Sequence, residues 1–260
     1  MKEKQDTLIG LPVYDGRIGL QTYNECILAQ YDKECCVKGI ISLVGDSLVT
    51  RARNKIVKRF LETDEEYLMF VDSDIEFNRS QIDRLRSHDK KIIGGVYLKK
   101  KLPYAAVCNR FLGKEGDLNI MGEMGTGFLL IHRDVFNDIR EKYPDHAYRP
   151  ENDEEKGDYY DFFRVGVVEG RYLSEDYLFC WLARQAGHKV YMDPSVLVTH
   201  IGHAAYPFKD ADLIQGATEL LANYDLNTPL DEEIVGKLKE AIKFQEEKRN
   251  EDTGNRTESE

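Results

Sequence analysis

The sequence predicts an α/β fold, a three-layer sandwich in which helices cover both faces of a mostly parallel central sheet. Three observations support this. The chain opens with a strand, helix, strand succession at residues 7–13, 17–31 and 37–43, an order that favours parallel pairing. Apolar runs such as YLMFV at 67–71 and KIIGGVY at 91–97 are continuous rather than alternating, which suits strands buried on both faces. Between such runs lie segments with a single apolar stripe, such as Ile56, Val57, Phe60 and Leu61.

Composition narrows the classes. The 260 residues, 42% hydrophobic and 32% charged, are those of a soluble globular protein with a sizeable core. No apolar stretch approaches the roughly 20 residues that span a bilayer, and the N-terminal MKEKQDTL lacks a signal-peptide core. Five cysteines, two of them adjacent at Cys35 and Cys36, show no metal-ligand spacing, so a reducing, cytoplasmic setting is expected. A net charge of −11 argues against nucleic acid as the main partner, although the basic residues at 51–58 and 99–101 keep a local basic cleft open.

In chain order, TLIGLPV at 7–13 is a strand. Its following loop offers Pro12 and Tyr14 either as contacts for a nucleotide base or as a plain turn. A helix through Leu61 follows Gly45, with Asp46, Ser47 or Thr50 as candidate caps. Arg51 and Arg53 fall near its first turn, where the helix dipole disfavours cations. They therefore either face an anion such as a diphosphate or stand solvated.

The strand at 67–71 ends in Asp72-Ser73-Asp74. If extended geometry persists, Asp72 and Asp74 share a side, and two hard oxygen donors there call for a cation such as Mn²⁺ or Mg²⁺. A haloacid-dehalogenase phosphatase would want Thr or Val where Glu76 stands, and its aspartate pair nearer the N-terminus.

Residues 80–87 read as a short helix, and Lys99, Lys100 and Lys101 follow the 91–97 strand as either a solvated turn or a steering patch. A strand is expected at 104–108. Gly125-Thr126-Gly127 then precedes a buried strand at 128–131 and a helix at 135–143. Those glycines admit either a ligand close to the backbone or a tight bend.

Residues 145–163 show no period and read as a mobile loop bordering a site. Ser174 caps a helix whose first turn holds Glu175 and Asp176, a pairing that stabilises any helix N-terminus. Short strands at 189–192 and 196–199 lead to His200, which is either structural or a cation ligand; His203 is the weaker candidate. Amphipathic helices are expected from Asp210, one of them running from Thr228-Pro229 to about Arg249. Three parts follow: a domain at 1–208, a helical extension at 209–250 that offers a homo-oligomer contact, and a disordered tail at 251–260.

Taken together, Pro12-Val13-Tyr14, Arg53-Asn54, VDSD at 71–74, MGTGFLLIHRDVF at 124–136, Ser174-Glu175-Asp176 and the late His200 resemble the GT-A (Rossmann-like) fold of nucleotide-sugar glycosyltransferases. The likeness is to the family-two group and its small viral or bacterial relatives, over roughly residues 7–205. It implies a metal-dependent transfer of a sugar from a nucleoside-diphosphate donor to a hydroxyl acceptor such as a glycan. Asp72, Asp74 and His200 would hold Mn²⁺ or Mg²⁺. Pro12, Tyr14, Arg51, Arg53, Asn54, Asp72, Ser73, Gly125, Thr126 and Gly127 would bind the donor. Asp176 would act as base beside Glu175 in an inverting reaction. The chain lacks the family's downstream Gln-x-x-Arg-Trp motif, which argues against a processive synthase and leaves a retaining reaction open. A sugar nucleotidyltransferase would want a Gly-x-Gly-Thr-Arg loop, which residues 10–16 do not supply. A noncatalytic nucleotide- or glycan-binding module on the same scaffold is the remaining alternative.

Overall fold

The computed structural model describes residues 5–100, 105–150, 157–202 and 205–206. The expectations for Lys101, His203, the helices from Asp210 and the tail lie outside them. In chain order the elements are β1 (Thr7–Val13), α1 (Leu20–Tyr31), β2 (Val37–Val44), α2 (Val49–Leu61), β3 (Tyr67–Val71), β4 (Ile75–Glu76), α3 (Arg79–Ser87) and β5 (Ile92–Val96). There follow β6 (Cys108–Glu115), β7 (Leu118–Met124), β8 (Phe128–His132), α4 (Arg133–Lys142), β9 (Ala147–Tyr148), β10 (Tyr159–Tyr160), β11 (Gly166–Val168) and β12 (Arg171–Leu173). The described chain closes with α5 (Glu175–Gln185), β13 (Val190–Leu197), β14 (Thr199–Ile201) and β15 (Ala205–Tyr206).

Eight strands form the central sheet in the order β2-β1-β3-β8-β5-β13-β7-β6. Pairing is parallel between β1 and β2, β1 and β3, and β5 and β13. It is antiparallel where β8 inserts between β3 and β5 and where β13, β7 and β6 adjoin. Alternation along β3 sorts the core into two layers. Leu68 and Phe70 point to one face with Ile56, Phe60, Phe136 and Phe179, from α2, α4 and α5. Tyr67, Met69 and Val71 point to the other with Cys26, Ala29, Ile82 and Leu85, from α1 and α3. This three-layer α/β sandwich is consistent with the Rossmann-like class the sequence predicts, with a sheet of mixed pairing where a mostly parallel one was expected.

Local chemistry explains the element starts. Asn78 caps α3 by accepting from the Ser80 amide at 3.0 Å, while Gln81 reaches back to the Asn78 amide at 2.9 Å. At α2 the N-cap is Leu48, and Asp46 accepts from the Leu48 amide at 3.1 Å.

Three differences from the sequence reading have physical reasons. Where a strand was expected at 104–108, the described residues before Cys108 make only an isolated bridge from Ala106 to Leu98, and the strand begins at Cys108 as the first arm of a β6–β7 hairpin turning at Gly116, with a bulge between Phe111 and Gly113. β13 is one strand where two were expected, because Asp193 turns inward and satisfies the local backbone, accepting from the Ser195 amide at 2.9 Å. Residues 157–163 are no mobile cover: Phe162 and Phe163 are fully buried, with Phe163 stacked on Phe179 at 4.7 Å and edge-on to Phe70 at 5.3 Å.

Asp193 also joins β13 to α3, through Arg84 at 2.9 Å and His88 at 2.7 Å. Burial alone would raise its carboxyl, but Ser195, His88 and Arg84 hold it down at about 2. Because the folded value lies below the ordinary one of ~3.9, its contribution is complete above that value and lost as pH falls towards 2. In thermal melts, Asp193→Asn should cost a few degrees of Tm at pH 7, and this gap to the parent should close below pH 3.

Candidate functional site

The site gathers at the carboxyl end of β3, where open α/β sheets place ligands. Extended geometry stops at Val71. The Asp72 amide donates to the Gly127 carbonyl at 3.0 Å, the Ile75 amide donates to the Asp72 carbonyl at 3.0 Å, and the Ser73 carbonyl accepts from the Gly19 amide at 2.8 Å. This turn sends the two carboxylates to different partners rather than to a shared side.

Asp72 meets Arg53 of α2, with Oδ1 and Oδ2 at 2.9 and 3.2 Å from Nη2. The Arg53 side chain is only 4% exposed. Its Nε lies 3.9 Å from Glu175 of α5, and its guanidinium covers the Phe70 ring at 5.4 Å. Burial works against the Arg53 charge, yet Asp72, Glu175 and Asp176 outweigh it and raise its pKa. Nε and Nη1 keep no hydrogen-bond partner, and neither does the buried Thr126 hydroxyl.

Burial raises the carboxyls of Glu175 and Asp176. Asp176 accepts from the Ser174 hydroxyl and, at 2.9 Å, from the Tyr177 amide, and both bonds favour its ionised form. Ser174 is the N-cap residue, but its side chain serves Asp176 rather than the helix backbone.

Asp74 pairs with Lys100 through Oδ2 and lies 3.5 Å from His200 Nε2 through Oδ1. Burial would raise its carboxyl, and hydrogen bonds from His200 and Lys100 lower it. His200 Nδ1 sits 2.8 Å from the Leu98 carbonyl, which can only accept, so Nδ1 carries the proton. In neutral imidazole the Nε2 lone pair then faces a carboxylate oxygen, an arrangement that a proton or a cation between them satisfies. Adjacent ligands each ~2.1 Å from one cation have about this separation, and a ring nitrogen fixed by a carbonyl is how metal-binding imidazoles are oriented. Asp74 and His200 therefore fit a divalent cation. Asp72 is turned to Arg53, and among the described residues the three-ligand cluster with close ligand atoms is Cys35, Cys36 and Asp83.

The other expected residues are spread more widely. Arg51 pairs with Asp46, whose two oxygens both accept from its Nε at 2.9 Å, so the anion it faces belongs to the protein. Asn54 holds the 161–163 segment, donating to Asp161 at 2.8 Å and accepting from the Phe163 amide at 3.0 Å. Pro12 is buried in β1, while Tyr14 beyond it is 70% exposed. A cavity of about 310 Å³ opens by Thr50, Arg51, Asn54, His146 and Arg164, and its lining does not include Asp72, Asp74 or Asp176.

Two contributors were not singled out as site residues from the sequence. Lys100 lay in a run read as either a solvated turn or a steering patch. Tyr97 ends an apolar strand run and gives no pattern of its own. It is buried, its hydroxyl accepts from the Gly127 amide at 2.9 Å, and burial with Asp72 nearby raises its pKa well above the usual value. The glycines of the 125–127 stretch make room for this ring: a Cβ at Gly125 would fall 2.2 Å from the Tyr97 hydroxyl, and one at Gly127 2.8 Å from it and 3.0 Å from Asp72 Oδ2.

No protein-family model matches the chain, and no curated protein matches it in sequence. Among solved structures, A197 from STIV is similar with a TM-score of 0.48 at 17% identity, over 78% of this chain and 94% of that one. GalNAc-T7, solved with UDP, GalNAc and Mn²⁺, is similar with a TM-score of 0.43 at 12% identity, over 75% of this chain and 44% of that one. At scores below 0.5 neither overlay bears on ligand or activity here.

Gly127→Ala should lower stability by about 1–3 kcal/mol through overpacking. Adding Tyr97→Phe, which removes the clashing hydroxyl, should recover part of the loss in a denaturant double-mutant cycle. Fully additive losses would show that the two positions do not press on one another.

Proposed function

We propose that this chain is a divalent-cation-dependent glycosyltransferase that moves a sugar from a nucleoside-diphosphate donor to a hydroxyl acceptor. One observation supports this most: a single buried guanidinium, Arg53, ties the Asp72 turn to Glu175 and Asp176, beside an Asp74–His200 pair suited to a cation. Asp74 and His200 would hold Mn²⁺ or Mg²⁺, and Asp72, turned to Arg53, would stand beside them nearer the donor's ribose. Such a cation supplies neutralisation of the leaving diphosphate.

The protein's own groups do the rest. Arg53 brings a second positive charge close to the donor, with two N–H groups unpartnered among the described residues. Asp176 takes the proton of the acceptor hydroxyl. Its burial raises its basicity, and Ser174 orients the carboxylate through Oδ1. Glu175 beside it keeps the helix end acidic, so protonation of one carboxyl eases ionisation of the other. Glycan, protein, lipid head group and modified nucleobase acceptors all meet this chemistry, with nucleic acid the least suited to a chain of net charge −11. No helix among the described residues is long and apolar enough to cross a membrane.

Nucleoside diphosphates and nucleotide sugars, screened by thermal shift with and without Mn²⁺, test the donor site. One nucleotide should raise Tm only with metal, and Asp74→Ala should abolish that rise. A shift without transfer or donor hydrolysis across many acceptors would favour the noncatalytic module; no shift with any nucleotide would remove the donor site altogether.

Asp176→Asn should reduce transfer at least a hundredfold while raising Tm at pH 7. The sign follows from burial: the folded state disfavours ionised Asp176, so its carboxylate destabilises above the ordinary aspartate value. The neutral isostere avoids that cost, and its advantage should shrink as pH falls and Asp176 itself protonates.

A further inference from the structure

We propose that Lys100 is a tethered counter-cation that holds Asp74 while no divalent ion is bound and must leave it when one binds. This rests on Asp74 and His200 being cation ligands. Lys100 Nζ is paired with Asp74 Oδ2, the carboxylate whose other oxygen faces His200 Nε2 at 3.5 Å. An ammonium and a divalent ion on one carboxylate repel each other, so the two compete for Asp74.

The backbone makes the competition local. Leu98, two residues before Lys100, supplies the carbonyl that fixes His200 Nδ1. Leu98 is bridged to Ala106, and the Lys99 amide donates to the Ala105 carbonyl at 2.8 Å, so the base of this segment is anchored on the sheet side. The Lys100 side chain is one-third exposed, and its long stem lets the ammonium swing without moving that base. Once displaced, its nearest use is on an incoming diphosphate, which carries the negative charge that Asp74 has given to the metal. Lys100 therefore weakens metal binding in the absence of a diphosphate and strengthens diphosphate binding, making the two events depend on one another.

The test uses Mn²⁺ alone, read as free Mn²⁺ by electron paramagnetic resonance, and inorganic pyrophosphate at saturating Mn²⁺, read by calorimetry. Lys100→Gln should bind Mn²⁺ about twofold to fivefold more tightly than the parent, the range expected when a partly exposed ion pair is removed, and should bind pyrophosphate more weakly. Lys100→Arg should restore both values, which separates charge from shape. Unchanged or weaker Mn²⁺ binding in Lys100→Gln, with parent binding still abolished by Asp74→Ala, would overturn the counter-cation role and leave the metal site standing. Mn²⁺ binding that ignores Asp74→Ala, or no Mn²⁺ binding in any variant, would overturn the metal site itself and the counter-cation role with it.

Discussion

A guanidinium with 4% of its side chain exposed is an expensive thing to bury, and Arg53 is tolerated because three carboxylates surround it. That balance binds parts distant in sequence: α2 carries Arg53, the turn after β3 carries Asp72, and α5 begins with Glu175 and Asp176. With Arg53 neutral or absent, three half-buried acids would converge unopposed, each raising the pKa of the others. With it present, one positive charge stands against three acids, an imbalance that favours cations. The raised carboxyls of α5 and the lowered carboxyl of Asp74 lie on opposite sides of this imbalance. The first two are buried without enough donors, and the last has a lysine and an imidazole beside it.

Much of this was legible in the chain. A five-residue apolar run ending in Asp-Ser-Asp points to β3 and its carboxyl end, because so short and continuous a run bounded by turn residues suits a strand buried on both faces. Ser-Glu-Asp before an apolar stripe identifies the start of α5 for capping reasons alone. Less legible was the direction each carboxylate takes. That depends on a turn whose bonds run to Gly19 and Gly127, far away in sequence, and a local reading treats the aspartates as an extended pair. Arg51 and Arg53 look alike in sequence, two residues apart on one helix. Their helical positions send the first to Asp46 and the second inward. Gly125 and Gly127 read as room for a ligand or as a tight bend, and the occupant beside them is Tyr97, which no spacing rule connects to them.

The site is also costly to the fold. Thr126 and Arg53 leave buried donors unpaired, and two carboxyls are held where ionisation is disfavoured. Such features persist where surrounding packing is strong enough to impose them. Here that packing is the aromatic cluster beneath: Phe70, Phe163 and Phe179 in contact, with Phe136 against Phe162 at 5.1 Å and Phe60 at 6.1 Å. Phe70 sits under the Arg53 guanidinium, so the same ring serves the core and the charge. Residues 157–163 join this packing and hold α2 through Asn54, which bonds Asp161 and the Phe163 amide.

The position of β13 shapes how a copy of this protein comes into being. It is the last of the eight sheet strands in sequence, yet it lies inside the sheet between β5 and β7. Chains fold as they emerge from the ribosome, N-terminal parts first. Until β13 is made, β5 and β7 each present a bare edge of backbone groups, the kind that recruits other chains. The same short stretch that fills the gap runs on through Val198 to His200. Closure of the sheet and completion of the Asp74–His200 pairing therefore fall in one step of synthesis. A chain cut before β13 lacks both the Asp74–His200 pairing and the closed sheet, and leaves two strand edges open to other chains.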